Sequence, residues 1–218
     1  MTKVILALPG RTFSGTFLMN WSQTLMTLTK KGYDFMVTNE YSSFVSFSRM
    51  KTLGLDVLRG ADQKPFGGQV DYDVWLTIDS DIVFTPEQVI ELIEDTKKYP
   101  VVSGLYRMQD MKHLACVKEW DLDYFRKNGS FEFMKADELE REDKYISVAY
   151  NGMGFFACRR DVLEKMKYPY FSYPLIEFDG LKDMCSEDVA FCKNLKDVGF
   201  DIIVNTTLRV GHEKTLVI

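Results

Sequence analysis

One segment constrains the fold of this chain more than any other. The mostly apolar run Val74-Trp75-Leu76-Thr77-Ile78 leads directly into Asp79-Ser80-Asp81, and Thr85-Pro86-Glu87-Gln88 follows. The run is typical of a buried strand. The last segment has the capping box and early proline that begin a helix. The sequence therefore predicts a strand, an acidic turn and a helix, with two carboxylates at the carboxyl end of the strand.

Strand and helix patterns alternate through the first half of the chain. Strands are predicted at 4–8, 35–38, 74–78 and 101–104, and helical periodicity at 14–32, 44–54 and 85–93. The second half predicts strands at 113–120, 146–150, 152–158 and 200–204, a short helix from Asp161 and a helix from Ser186 to near Gly199. These patterns favour an α/β fold with one sheet covered by helices on both faces. No repeat or linker is found, so residues 1–218 are predicted to form a single domain.

Composition and charge restrict the partners of the chain. Its 218 residues carry 27 Lys and Arg against 32 Asp and Glu, a net charge of −5. Proteins that bind nucleic acid without specificity are usually basic, so no nucleic-acid partner is expected. The first apolar run has only five residues, too few for a membrane span or a signal segment. The apolar end at Leu216-Val217-Ile218 suggests that further domains follow in a longer chain.

The cysteines indicate a reducing compartment. Cys116, Cys158, Cys185 and Cys192 form no Cys-x-x-Cys pair and are too few for a disulfide framework. We interpret them as reduced core thiols of a cytoplasmic protein. A zinc site is the weaker alternative, because the spacings fit no zinc motif.

The acidic turn and a late histidine form the strongest candidate site. Ligands of open α/β sheets bind outside the carboxyl ends of the strands. There Asp79 and Asp81 could share Mg²⁺ or Mn²⁺, which bind phosphate oxygens in turn. His212 follows the last predicted strand, and its imidazole would favour Mn²⁺. The alternatives are an ordinary helix-capping turn and a surface histidine; His113 is interpreted as structural.

Further candidates lie in three other segments. Glu187 and Asp188 open the last helix, either as capping residues favoured by the helix dipole or as active-site carboxylates. Asn151 and Gly152 offer an amide and flexible backbone for binding a hydroxyl, or else form a strand-edge bulge. Arg49 interrupts an apolar helical stretch, as a phosphate or base ligand or as a solvated arginine.

The turn after the first strand is the last candidate. Gly10 in Pro9-Gly10-Arg11 allows close approach of the backbone, and Arg11 could meet a phosphate or a base. Neither a dinucleotide-binding glycine motif nor a P-loop occurs, which disfavours dinucleotide oxidoreductases and P-loop NTPases.

The order of these motifs over nearly the whole chain resembles the GT-A glycosyltransferases, nucleotide-sugar enzymes with a DxD motif. It also resembles the N-terminal glycosyltransferase domains of large chlorella-virus proteins implicated in capsid glycosylation. The resemblance implies a mixed, mainly parallel central sheet flanked by helices. It also implies transfer of a hexose or deoxyhexose from a UDP-sugar to a glycan or glycoprotein acceptor, in the host cytoplasm if the protein is viral. The chain is short for this fold, so another domain could supply part of the acceptor site.

The resemblance also implies a role for each candidate. Asp79, Asp81 and His212 would hold Mn²⁺ or Mg²⁺, and Asp79 and Ser80 would contact the donor. The base would lie against Pro9, Gly10, Arg11, Thr38, Asn39 and Glu40. Asn151 and Gly152 would line the sugar. Glu187 and Asp188 would be catalytic, Asp188 as the base if the enzyme inverts.

Two rival functions use the same residues. A metal-dependent nucleotidyl- or phosphotransferase would need the same carboxylates but would release pyrophosphate or transfer phosphate. A non-catalytic module would bind a nucleotide sugar without turnover.

Overall fold

The apolar run at 74–78 forms a fully buried strand in the middle of a seven-stranded sheet. The computed structural model describes residues 1–215. The strands are β1 Lys3–Pro9, β2 Asp34–Glu40, β3 Val74–Ile78, β4 Ile82–Val83, β5 Val101–Leu105, β6 Cys116–Val117, β7 Tyr145–Val148, β8 Tyr150–Asn151, β9 Phe155–Arg159, β10 Leu175–Phe178, β11 Leu181–Met184, β12 Ile202–Arg209 and β13 Gly211–His212. The α-helices are α1 Gly15–Lys30, α2 Val45–Thr52, α3 Pro86–Asp95, α4 Leu122–Asn128, α5 Arg160–Leu163 and α6 Glu187–Asp197, and 3-10 helices cover Val57–Arg59, Pro65–Gly68 and Leu139–Arg141.

The central sheet is mixed and mainly parallel. Its strand order is β2-β1-β3-β9-β5-β12-β7. Strands β1, β2, β3, β5 and β12 point the same way, whereas β9 and β7 run antiparallel to their neighbours. The predicted fold class is therefore confirmed.

Alternating side chains of the sheet enter two hydrophobic cores. Ile5 and Trp75 pack into a core with residues of α2, α5 and α6. Their neighbours Leu6 and Leu76 pack into a second core with residues of α1 and α3. Since successive strand residues point to opposite faces, helices must cover both sides of the sheet. This arrangement confirms the two-sided packing predicted from the apolar strands.

The strongest local signals form the predicted helix starts. The hydroxyl of Ser14 accepts from the backbone N–H of Phe17 at the start of α1. Thr85 and Gln88 form the reciprocal capping box at the start of α3. Ser186 precedes α6, as predicted. Cys116, Cys158 and Cys192 are buried free thiols, whereas Cys185 is only half-buried.

Several predicted elements differ in the structure. The strand predicted at 113–120 is reduced to β6 and two isolated bridges, and the strand predicted from Gly152 starts only at Phe155. The strand predicted at 200–204 extends to Arg209. Helix α2 has the predicted place, but Phe44 and Phe47 of its supposed apolar face are exposed. Short apolar runs do not show which side chains tertiary packing will cover. The helical periodicity therefore predicted the wrong buried face for α2.

Two short strands bring residues 211–213 to the acidic turn. Gly211 and His212 of β13 pair antiparallel with Val83 and Ile82 of β4, directly after the turn. The backbone N–H of Glu213 also donates to the carbonyl of Asp81 at 2.7 Å. This ladder fixes His212 beside Asp81. Within residues 1–215, no helix combines the length and apolar character that crossing a bilayer requires.

Candidate functional site

The carboxyl ends of three parallel strands meet at one edge of the sheet. Pro9, at the end of β1, pairs with Glu40 of β2, and Ala7 pairs with Thr77 of β3. The loops that continue these strands therefore lie side by side. This edge is where ligands bind in open α/β sheets, and it carries the acidic turn.

Gly10 brings two of these loops into contact. A Cβ atom at Gly10 would lie only 2.9 Å from the Cβ of Ser80, closer than such atoms approach in proteins. The sequence predicts a close approach to the backbone at Gly10, and the residue that makes this approach is Ser80 of the protein itself. Any larger residue at this position would push the β1 loop away from the acidic turn.

The residues predicted to hold the base divide into two groups. The Asn39 amide donates to the carbonyls of Leu8 and Gly10 at 2.7 and 2.9 Å, so it fixes the loop. The Thr38 hydroxyl donates to the Thr52 carbonyl and ties β2 to α2. The exposed side chains of Arg11 and Glu40 remain accessible to a ligand.

Arg49 forms the buried centre of the site. Its side chain is 4% exposed, and Nη1 and Nη2 each donate to one oxygen of Asp79 at 2.9 Å. Nε donates to Oε1 of Glu187 at 3.3 Å. The solvated-arginine interpretation is therefore wrong. Arg49 joins three elements: helix α2, the turn after β3 and the start of α6.

The charges in this cluster depend on one another. Burial opposes the charge of Arg49, but the Asp79 and Glu187 carboxylates outweigh it and hold the pKa of Arg49 above its ordinary value. Burial raises the pKa of Asp79, against the effect of Arg49. Burial, with the neighbouring Asp188, also raises the pKa of Glu187. A single buried cation thus compensates the buried Glu187 and the half-buried Asp79, and its loss would leave both carboxylates unpaired.

Asp81 and His212 form a second cluster at the mouth of the site. Nε2 of His212 lies 3.0 Å from Oδ2 of Asp81, and Nζ of Lys214 lies 2.7 Å from the same oxygen. Partial burial opposes ionisation of Asp81, yet hydrogen bonds from His212 and Lys214 lower its pKa to about 2. The same bond to Asp81 raises the pKa of His212.

The hydrogen bonds of His212 fix its orientation. Nδ1 lies 2.7 Å from the carbonyl oxygen of Arg107, an acceptor, so this nitrogen carries a proton. Nε2 faces a carboxylate oxygen, which is also an acceptor. Nε2 must therefore either be protonated or share a cation with Asp81. Metal-binding histidines commonly donate their second nitrogen to a backbone carbonyl in this way.

The donor set of this cluster fits a divalent cation in part. A carboxylate oxygen and an imidazole nitrogen are ligands that Mn²⁺ accepts. The structure does not bring the carboxylate of Asp79 to them, because both its oxygens accept from Arg49. Across residues 1–215, no three His, Cys, Asp or Glu side chains stand close enough together to hold a metal ion. Of the three predicted ligands, Asp81 and His212 are therefore paired and Asp79 is separate.

Asp188 is held by three hydrogen bonds. Its Oδ2 accepts from the hydroxyl of Tyr150 at 2.7 Å, and its Oδ1 accepts from the Ser186 hydroxyl and from the backbone N–H of Val189. Each carboxylate oxygen can accept more than one hydrogen bond. Asp188 therefore keeps an acceptor site for a further hydroxyl. Glu187, in contrast, is 7% exposed and faces Arg49, which suits positioning rather than proton transfer.

Asn151 and Gly152 lie beneath the site. Asn151 is 1% exposed, and its amide nitrogen donates to Oγ of Ser103 at 2.6 Å. A Cβ atom at Gly152 would lie 2.2 Å from the hydroxyl oxygen of Tyr106. Gly152 is therefore required by the Tyr106 ring, whose centre lies 5.0 Å from that of His212.

Sequence reasoning missed three functional candidates: Tyr106, Tyr150 and Lys214. Tyr106 and Tyr150 contact His212 and Asp188 from distant elements, and no local spacing connects them. Lys214 stands two residues after His212, and this spacing could have drawn attention to it. A residue that stands close in sequence to a candidate ligand, at the end of a strand, can reach the same carboxylate as that ligand.

Comparison with known proteins yields structural likeness only. No protein-family model matches the sequence, and no curated protein matches it. The crystal structure of A197 from STIV aligns with a TM-score of 0.54 at 18% identity, covering 99% of this chain and 87% of that one. A mutant Drosophila β-1,4-galactosyltransferase 7, in complex with manganese, UDP-Gal and xylobiose, aligns with a TM-score of 0.51 at 14% identity. That alignment covers 99% of this chain and 72% of the other.

These likenesses define the class of fold. The mainly parallel mixed sheet, with helices on both faces, is a GT-A-like fold of the kind seen in nucleotide-sugar transferases. The expected fold is confirmed on this point. At these identities the likeness concerns the fold alone, so the function must be argued from the site.

Proposed function

We propose that this protein is a metal-dependent glycosyltransferase, and that residues 1–218 form a single catalytic domain. It would move a hexose or deoxyhexose from a UDP-sugar to a hydroxyl of a glycan or glycoprotein. Glycosylation of a viral capsid protein, which the sequence resemblance implies, stays a prediction about the acceptor.

The observation that carries this proposal is the geometry of His212. Nδ1 donates to a carbonyl, and Nε2 faces the carboxylate of Asp81 at the carboxyl-end edge of the sheet. An oxygen and a nitrogen donor are thereby presented together where a nucleotide diphosphate would lie on this fold. The galactosyltransferase of similar fold was crystallised with manganese and UDP-Gal, which supports the same class of ligands here.

Asp81 and His212 are the residues that would hold Mn²⁺ or Mg²⁺. A bound divalent ion acts as a Lewis acid on the leaving diphosphate. The chain has a net charge of −5, so overall attraction does not favour an anionic donor. Local cations must supply that attraction, and Lys214 already reaches Asp81. We propose that Asp79, held by Arg49, presents its carboxylate edge to the ribose.

In the reaction, the bond between the sugar C1 and the diphosphate oxygen breaks, and a bond from C1 to the acceptor oxygen forms. UDP leaves with the electron pair of the broken bond. The acceptor hydroxyl loses its proton, and Asp188 is the proposed base if the enzyme inverts. Tyr150 and Ser186 hold Asp188 in place. If the enzyme retains configuration, Asp188 positions the donor and the diphosphate takes the proton.

Incubation with a panel of UDP-sugars and Mn²⁺ tests the proposal. Release of UDP is the expected result, and the panel identifies the sugar. Release of pyrophosphate would instead indicate a nucleotidyltransferase. Binding of the nucleotide sugar without any turnover would indicate a non-catalytic binding module. Either of these two results would contradict the proposed activity.

A further inference from the structure

An apolar pocket lies beside Tyr150 and Ser186, the residues whose hydroxyls hold Asp188. It has a volume of about 460 Å³ and lies between the β10–β11 hairpin and the segment that contains α4. Pockets that bind small molecules commonly measure about 300 to 1,000 Å³ and are mostly apolar. Size and lining therefore both match a site for a small molecule.

Aromatic rings form one wall of the pocket. The ring centres of Trp120 and Phe131 lie 4.6 Å apart, and those of Phe125 and Phe131 lie 4.8 Å apart. Trp120 also packs against Tyr150, at 6.3 Å. Trp120 is nevertheless 37% exposed. A bound molecule would remove this apolar surface from contact with water, and burial of apolar surface favours binding.

The opposite wall is formed by the β10–β11 hairpin. Ile176 and Leu181 line the pocket, and both keep more than a third of their surface exposed. An ion pair between Arg126 of α4 and Asp179 in the hairpin turn joins the two walls. The pocket is therefore enclosed by the α4 segment on one side and by the β10–β11 hairpin on the other.

The pocket is connected to the proposed base. Tyr150 and Ser186 line it, and their hydroxyls donate to the two oxygens of Asp188. A molecule in the pocket would place a hydroxyl near that carboxylate. Lys182 and Asp183 are the charged lining residues, one of each sign. The pocket thus suits an uncharged occupant rather than a phosphorylated one.

We propose that this pocket binds an uncharged apolar group of the acceptor, adjacent to the sugar hydroxyl that reacts. The inference rests on the proposed glycosyl transfer, because it assigns the group to the acceptor. The group could be an alkyl or aryl aglycone, or the methyl group of a deoxy sugar. Both share the same chemistry: apolar surface beside a sugar hydroxyl.

Binding measured without any donor separates this proposal from the transferase proposal. Isothermal titration would compare hexyl glucoside, methyl 6-deoxyglucoside and methyl glucoside. We expect hexyl glucoside, the deoxy sugar or both to bind at least about tenfold more tightly than methyl glucoside. Tighter binding of hexyl glucoside would identify an aglycone as the apolar group, and tighter binding of the deoxy sugar would identify its methyl group. Equal affinity for all three would overturn the proposal, whatever UDP release shows.

Hairpin variants inside and outside the pocket lining give a matched control. Ile176→Ser and Leu181→Ser should each reduce the preference for the apolar ligand at least about fivefold. Leu175 is 65% exposed and is not part of the pocket lining, so Leu175→Ser should bind as the unmodified protein does. Because these side chains lie on an exposed hairpin, the variants are expected to fold. An unchanged preference in both pocket variants would overturn the assignment.

Discussion

Arg49 and Asp79 form a bidentate ion pair in which both N–O distances are 2.9 Å and the arginine is buried. The pair joins helix α2 to the turn after β3, and Glu187 extends it to α6. Arg49 therefore fixes the orientation of the Asp79 carboxylate, and Arg49 itself is too buried for a ligand to contact. A rigid carboxylate of this kind presents a fixed edge to a ribose or a hydroxyl.

Replacing Arg49 should destabilise the protein strongly. Arg49→Met leaves two carboxylates without their buried partner, which is expected to cost about 3 kcal/mol in the free energy of unfolding. Arg159 is the matched control, because it also binds one carboxylate through two nitrogens, in an exposed pair with Asp161. Arg159→Met should cost less than about 1 kcal/mol. Urea unfolding would measure both, and equal losses would contradict the role of Arg49.

Replacing Asp81 should abolish the part of UDP binding that depends on Mn²⁺. Asp81→Ala removes the oxygen donor of the proposed metal pair. Calorimetric titration with UDP, with and without Mn²⁺, would measure the effect. Asp110→Ala is the control, because Asp110 makes a similar bond to His113 on the exposed surface. Unchanged affinity for UDP with Mn²⁺ in Asp81→Ala would show that the metal assignment is wrong.

The imidazole of His212 should titrate above pH 6.5. The hydrogen bond to Asp81 raises its pKa in the folded state, so the bond stabilises the fold fully below the ordinary pKa. That contribution is lost as the pH rises through the folded pKa. NMR titration can follow it, since the chain has only two histidines and His113→Gln assigns the signals. In Asp81→Asn the pKa should fall toward its ordinary value. An unmoved pKa would rule out the Asp81 bond as its cause.

Replacing Asp188 should slow transfer much more than it weakens UDP binding. If Asp188 is the base, Asp188→Asn is expected to reduce kcat at least about 100-fold. Asp197→Asn, at the other end of the same helix, should leave kcat unchanged, because Asp197 pairs with exposed Lys193 and not with a described residue of the candidate site. Initial rates of UDP release with acceptor would provide kcat. Equal rates for Asp188→Asn and the unmodified protein would exclude a catalytic role.

Neutralising Lys214 should strengthen cation binding. Its ammonium shares Oδ2 of Asp81 with His212, so a divalent ion must displace it or tolerate its charge. Lys214→Met is expected to increase Mn²⁺ affinity about threefold to tenfold. Electron paramagnetic resonance of free Mn²⁺ would measure the affinity, with Lys193→Met as a distant control. Weaker Mn²⁺ binding in Lys214→Met would contradict this competition.

Local signals predicted the parts of the fold that depend on near neighbours. The buried strand at 74–78 and the capping box at Thr85 formed as expected, because their determinants lie within a few residues. The exposed Phe44 and Phe47 were misplaced, because their burial depends on which distant elements pack over α2. Arg49 shows the same limit. Its partner Glu187 is 138 residues away, and no spacing rule connects the two.

The candidate site was predictable as a set of residues but not as a set of contacts. Asp81 and His212 were grouped because each follows a predicted strand and because the resemblance to GT-A enzymes implies a late metal-binding histidine. Asp79 was expected beside them, yet Arg49 takes both its oxygens. Tyr150 was not singled out, because the Phe- and Tyr-rich sequence contains many aromatic residues of similar pattern. Tertiary contacts, rather than motifs, determined these differences.

The β4–β13 ladder has a consequence for how the protein is made. Asp81 meets a histidine 131 residues later in the chain, so the oxygen donor leaves the ribosome long before its nitrogen partner. A nascent chain that lacks β13 can build the sheet edge but holds half of the proposed cation-binding pair. Contacts of such long range also form late in folding, since the intervening loop must first close. The proposed cation site would thus arise only after β13 has paired with β4.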